Sequence, residues 1–308
     1  MTSILTNIAA MSALQTLRTI NSNLQETQGR VSSGYRVSKA SDNAAYWSIA
    51  TTMRSDNSAL SAVSDALGLG AAKVDTAYTA MENGIDVVQQ IKDKLVAATE
   101  SSVNKADVQE EITQLQQQLK SVAQSASFSG QNWVVASDGA SASVVSSFVR
   151  YNDGSVAVNN SSYQFDASSQ GNVMFGTLVD GSIDTASGIL GSEQTIGISD
   201  YSVYSLDITN MTGGDVAKSM TMVQSALDAM TSAASQLGSL STRIDLQTSF
   251  VSALSDTIDS GVGKLVDADM EEESSKLSAL QTQQQLAIQS LQIANNSAQN
   301  VLSLFQSH

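Results

Sequence analysis

Residues 49–98 read IATTMRSDNSALSAVSDALGLGAAKVDTAYTAMENGIDVVQQIKDKLVAA. Apolar or small residues return at alternating steps of four and three: Ile49, Met53, Leu60, Val63, Leu67, Gly70, Val74, Ala77, Met81, Gly84, Val88, Ile91, Leu95 and Ala98, with only Asp56 interrupting the series. A 3.5-residue repeat sustained this long predicts one helix whose stripe faces a neighbouring helix throughout. At 1.5 Å per residue it is a rod of roughly 75 Å, too long for the core of one compact domain. Such a rod requires partners.

Working outward toward the start, Ala10, Ala13, Leu17, Ile20, Leu24 and Val31 repeat the spacing, and Ile4, Leu5, Ile8, Met11 and Leu14 widen the apolar face. A helix over residues 4–33 is expected, stopped at Gly34. A linker follows over residues 35–41, with Ser41 or Asp42 as the N-cap of the rod. Beyond the rod, a break at 101–105 precedes a second repeat at Val108, Ile112, Leu115, Leu119, Val122 and Ala126, read as an antiparallel return.

From Phe128 to about Met211 the chain turns rich in Gly, Ser, Asn and Asp. Residues 144–151 and 155–158 flank Asn152-Asp153-Gly154, which predicts a hairpin within a small, mainly β insertion over 129–212. Helical periodicity resumes at Val216 and runs through Met220, Val223, Leu227, Met230, Ala234, Leu237, Ile244, Val251, Ile258, Val262 and Leu265. This second rod forms a hairpin with the first and holds the insertion at one end. A loop is expected at 260–263, before a final helix.

The fold class is therefore mainly α: a long antiparallel helical hairpin or coiled-coil bundle with paired terminal helices and a small β-rich insertion. It divides into residues 1–41, 42–128, 129–212, 213–263 and 264–308.

Composition narrows function. The chain has no Pro, where average usage of about 5% predicts on the order of 15, so nothing breaks long helices. Cys is absent and the single His is His308, which removes disulfides, thiolate sites and every triad or zinc motif needing an internal imidazole. No enzyme activity, cofactor or metal is expected. A net charge of −15 repels phosphate backbones and argues against nucleic acid as a partner. Neither a secretory signal nor a membrane span is legible, so no membrane partner is expected.

Both ends share an unusual property. Residues 1–17 carry no charged side chain, and none follows Lys276 until the terminal His308. The last segment places Leu277, Leu280, Ala287, Leu291, Ala294, Ala298, Val301 and Phe305 on one stripe, and Leu286, Ile288, Ile293, Leu302 and Leu304 flank it. A surface helix normally carries charge on its wet face. Helices apolar on several faces and neutral on the rest are surrounded by protein, and identical neutral helices pack without accumulating like charge. Self-association through both ends is the expectation.

Other motifs read as structural. Gly261-Val262-Gly263-Lys264 resembles part of a phosphate loop, but the spacer is wrong and Leu265 stands where Ser or Thr is needed. The acidic run Asp267, Asp269, Glu271, Glu272 and Glu273 suits a first helical turn. Asp153 and Asp180, each followed by a glycine, and Asp184 read as turn residues. The Ser-rich run 137–147 is a candidate for O-linked sugar, which an intact mass would detect. Trp47 and Trp133 read as packing anchors.

Ser32-Ser33-Gly34-Tyr35-Arg36-Val37 leading into Asp42-Asn43-Ala44-Ala45 resembles the bacterial flagellin signature. Ile4, Asn7 and Ala10, Phe128 to Trp133, Gly238 to Arg243, Ala294-Asn295 and Asn300 to Leu304 are similar to flagellin in the same order. Tyr46-Trp47 departs from it, replacing a small Gly, and the central insertion is shorter than in large members. The resemblance implies a structural subunit of the extracellular flagellar filament, exported unfolded through the flagellar type III apparatus and serving motility. Its partners would be itself and other flagellins, with a secretion chaperone, the filament cap and hook–filament junction proteins.

On the same footing, the terminal helices form an inner core, the long helices the next shell, and the insertion faces outward. Gln89-Gln90-Ile91-Lys92-Asp93-Lys94 departs from the family's immune-receptor segment, lacking its first Arg and carrying Lys94 in place of an apolar residue. Weak receptor activation by purified monomer is expected. The competing readings are a flagellin-like junction protein, which would give only short capped assemblies, and a secreted adhesin displaying residues 129–212.

Overall fold

The computed structural model describes residues 7–306 apart from 101, 179 and 180, and side-chain surroundings up to residue 297. Five long helices and a set of short strands follow in order. Helix α1 spans Ile8–Ser33, α2 Ala44–Ala98, α3 Lys105–Ser125, α4 Gly213–Val266 and α5 Met270–Gln306. Between α3 and α4 the strands pair as antiparallel hairpins: β1 (Ser127–Phe128) with β2 (Gln131–Asn132), β3 (Ser141–Arg150) with β4 (Val156–Gln164), β5 (Gly176–Thr177) with β6 (Ile183–Asp184), and β7 (Gln194–Ile196) with β8 (Ser199–Tyr201), and a parallel bridge joins Val135 to Phe175.

The chain divides into two compact units, one of residues 1–57 and 256–308, the other of residues 58–255. In the larger unit the long repeat does what its spacing predicts. Leu67, Val74, Met81, Val88, Ile91 and Leu95 are buried, together with Val223, Met230 and Leu237 of α4. Gly238 of α4 lies against Tyr78, Ser241 Oγ donates to Asp75 (3.0 Å), and Lys92 Nζ donates to Gln224 (2.7 Å), so α2 and α4 run antiparallel. Helix α3 returns along α2, with Glu111 paired to Lys94 near its start and Ser125 facing Asp75–Asn83 at its end.

The insertion packs alongside these helices. A Cβ at Gly84 would meet Met174 at 2.7 Å, and one at Gly70 would collide with Val144, so both glycines are close-approach sites for the insertion. Trp133 stacks on Tyr163 at 5.7 Å with Phe165 edge-on, which makes Trp133 the expected packing anchor. The predicted hairpin is β3–β4. Its turn places Gly154 at φ +85°, and Asp153 accepts from the Ser155 amide at 2.9 Å. Asp184 likewise accepts from Ala186 N and Ser187 Oγ, and Asp180 lies outside the described residues.

Several expectations are corrected. Helix α1 is capped at Asn7, whose extended backbone precedes Ile8, and residues 4–6 of the expected helix lie outside the described residues. Asn43, not Ser41 or Asp42, caps α2 by accepting from Tyr46 N, while Asp42 Oδ2 is engaged by Ser38 and Lys39. Helix α4 runs unbroken through 260–263. There Val262 and Val266 bury against Val37 and Ala50, and Gly261 lets Met53 approach; the break falls at Asp267–Asp269 instead. Ile49 is exposed and its neighbour Ala50 faces inward. Trp47 is 37% exposed, so it does not anchor the monomer's core.

Candidate assembly surface

Helices α1 and α5 pair antiparallel. Asn7 uses both ends of its amide: Oδ1 accepts from Ala10 N (3.0 Å) and caps α1, and Nδ2 donates to the Ala294 carbonyl (2.9 Å). Gln284 donates to Asn21 (2.7 Å) midway, and Arg30 Nη1 donates to Glu273 Oε1 (3.0 Å) at the far end. The guanidinium of Arg30 is held above its ordinary value by its bond to Glu273, against the opposing effect of burial and with Glu26 adding to it. Asp269 caps α5 by accepting from Glu271 N and Glu272 N. The acidic run is thus a helix start, and Glu273 is its buried member.

The predicted assembly residues separate into two sets. Leu17, Leu24 and Leu291 are half-buried, as are Ala10, Ala13, Ile20, Leu277, Ala287 and Ala294. Ile8 (66%), Met11, Leu14, Leu286 and Ile293 (70%) are exposed. Ile4 and Leu5 lie outside the described residues, as do the side chains of Val301, Leu302, Leu304 and Phe305 on the helical backbone of α5.

The signature residues build a joint. Gly34 takes φ +75° at the end of α1 and its N–H donates to Arg30 O, a left-handed stop that favours glycine. Ser33 Oγ accepts from Tyr35 N. The amides of Arg36 and Val37 both donate to Val266 O (2.7 and 3.1 Å), the Arg36 guanidinium donates to Leu265 O, and Ala268 N donates to Gly34 O. These bonds stitch the linker to the α4–α5 break. Asp42 and Asn43 shape the entry to α2, while Ser32, Ala44 and Ala45 stay exposed beside it.

A cleft of about 370 Å³ at this joint is lined by Arg30, Arg36, Lys264, Asp267, Glu272 and Lys276, of mixed sign. Among the described residues no three His, Cys, Asp or Glu side chains are placed to hold a metal ion. No helix among them is long and apolar enough to cross a membrane.

The segment Gln89–Lys94 lies on α2. Ile91 is buried, Gln89 donates to Asp93, Gln90 is exposed, and Lys92 and Lys94 are tied to Gln224 and Glu111. Sequence reasoning missed Gln116, buried in α3, whose amide donates to the carbonyls of Val203 and Leu206 at 3.0 Å. Only its position on the apolar face beside Leu115 and Leu119 hinted at burial.

Comparison with known proteins bears on the same segments. Residues 4–138 match the bacterial flagellin N-terminal helical region, and residues 220–305 match the bacterial flagellin C-terminal helical region. The chain is 48% identical to Flagellin A of Rhizobium meliloti, 52% to Flagellin C of Rhizobium meliloti (strain 1021), and 42% to a flagellin of Brucella melitensis. Each alignment covers 99% of this chain and 100% of the relative.

Proposed function

The chain belongs to the bacterial flagellin family, and on that premise we propose that its α1–α5 pair is the inner core through which subunits join. As a flagellin it is a structural subunit of the extracellular flagellar filament, serves motility, is not an enzyme, and polymerises with itself and other flagellins.

In this reading residues 1–41 and 264–308 form the inner core, 42–128 and 213–263 the next shell, and 129–212 the outward face. A secretion chaperone, the filament cap and hook–filament junction proteins are its further partners. The observation that carries the assignment is a helix pair with no charge over residues 8–17 and 277–306 that leaves Ile8, Met11, Leu286 and Ile293 exposed. An isolated protein does not leave such a face wet without a partner to cover it. Deleting residues 277–308 should abolish filament formation, read by electron microscopy under polymerising conditions. Filaments from the truncated chain would overturn the assignment.

A further inference from the structure

A third charge-free stretch lies in the same compact unit as α1 and α5: Ala44–Met53, the first turns of α2. It carries Tyr46, Trp47 and Ile49, exposed at 41, 37 and 49%. At about 100° per residue these three spread over an arc centred near Ala50. Ala50 is closed off by the small cluster of Val37, Val262 and Val266, against which Met53 also packs, and the aromatic side chains to either side of Ala50 stay partly exposed.

Two features identify the occupant. A subunit with a net charge of −15 repels its own copies wherever its charges face each other, so copies approach best through neutral surface. This patch is neutral, and it belongs to the unit that carries the exposed α1–α5 face. A large flat aromatic side chain set in such a surface is the residue type that dominates interface energetics. We propose that Tyr46, Trp47 and Ile49 form a docking patch covered by a second copy of this chain in the filament, with Trp47 as its anchor. The inference rests on the subunit reading above and adds a contact outside the terminal helices.

The two tryptophans of the chain make the test direct. Trp133 is 3% exposed and already shielded, whereas Trp47 keeps 37% of its surface open to water. Fluorescence and acrylamide quenching are compared between filaments and the monomers released from them, using the W133F variant, which leaves Trp47 alone. Trp47 emission shifts to the blue and its quenching falls several-fold on assembly, while W47F, reporting Trp133 alone, changes little. Should W133F loosen the insertion, the wild-type chain gives the same reading, because its assembly-linked change then comes from Trp47. W47A raises the critical concentration on the order of tenfold or more, beyond what its loss of monomer stability in urea accounts for, and W47F retains most of the assembly. Filaments in which Trp47 stays as quenchable as in the monomer overturn this inference and leave the subunit reading standing. A wild-type chain that forms no filament overturns both.

Discussion

Helices α3 and α1 are similar in length and opposite in design. Over 21 residues α3 buries five side chains, Val108, Ile112, Gln116, Leu119 and Ala123, while the 26 residues of α1 bury one, Thr27. Helix α3 belongs to the larger unit, where Leu67, Met81, Ile91 and Leu95 of α2 are sealed from water. Helix α1 belongs to the other unit, where α1 and α5 share a half-buried seam and turn Ile8, Met11, Leu286 and Ile293 outward. One region completes its packing within a single chain; the other leaves Ile8, Met11, Leu286 and Ile293 facing solvent, the face proposed above to join subunits. The same substitution should therefore read out in different observables in the two regions.

The largest effect on the monomer is expected in the sealed region. Ile91→Ala removes three buried carbons from a site with no exposure and should cost about 3 kcal/mol, measured by urea denaturation. A loss under about 1 kcal/mol would show that the long-helix core relaxes into the cavity, and the contrast with the terminal helices would dissolve.

Much of this contrast was legible in the sequence because it is written in local periodicity and charge. The stripe from Met53 to Ala98 and the seam from Leu277 to Ala294 follow from spacing alone. What was not legible depends on contacts distant in sequence. Gln116 is buried because the carbonyls of Val203 and Leu206 need a donor, and nothing near Gln116 reveals that. Gly261 and Gly263 looked like a break, yet Gly261 gives Met53 room beside an intact helix. Trp47 reads as an anchor in sequence, since residue type and spacing do not reveal that its side chain stays 37% exposed. Sequence alone does not single out Asn7 and Asn43 as caps, because Ser, Asp and Asn are near-equivalent there and geometry decides among neighbours.

A smaller effect is expected at the insertion, on the sealed side of the comparison. Tyr163 stacks on Trp133, and its hydroxyl is buried with no protein hydrogen-bond partner among the described residues. Burial pushes the phenol up to about 12 from an ordinary value of 10.0. The fold thus favours the neutral ring: its contribution is intact below pH 10 and is lost as pH rises toward the folded value. Tyr163→Phe keeps the ring stack and removes the unpaired hydroxyl, so it should stabilise the monomer by about 1 kcal/mol and reduce alkaline unfolding in that window. Destabilisation by the substitution would mean that the hydroxyl is satisfied, and the region would be less dry than its aromatic packing indicates.

The smallest effect on the monomer is expected where the effect on the filament is large. Leu286 and Ile293 lie on α5 among Gln and Asn, exposed at 58 and 70%, and Gln has a helix propensity near that of Leu. The double substitution Leu286→Gln, Ile293→Gln therefore leaves both the helix and the seam around Leu280, Ala287 and Leu291 in place. It should move monomer stability by less than about 0.5 kcal/mol. Fully burying each side chain against a neighbouring copy contributes roughly 1.5–3 kcal/mol, so the critical concentration for polymerisation should rise tenfold or more. If the monomer instead loses about as much as Ile91→Ala costs, these side chains are closed within one chain. The terminal pair would then be a finished core like the long-helix bundle, and the surface that joins subunits would have to lie elsewhere.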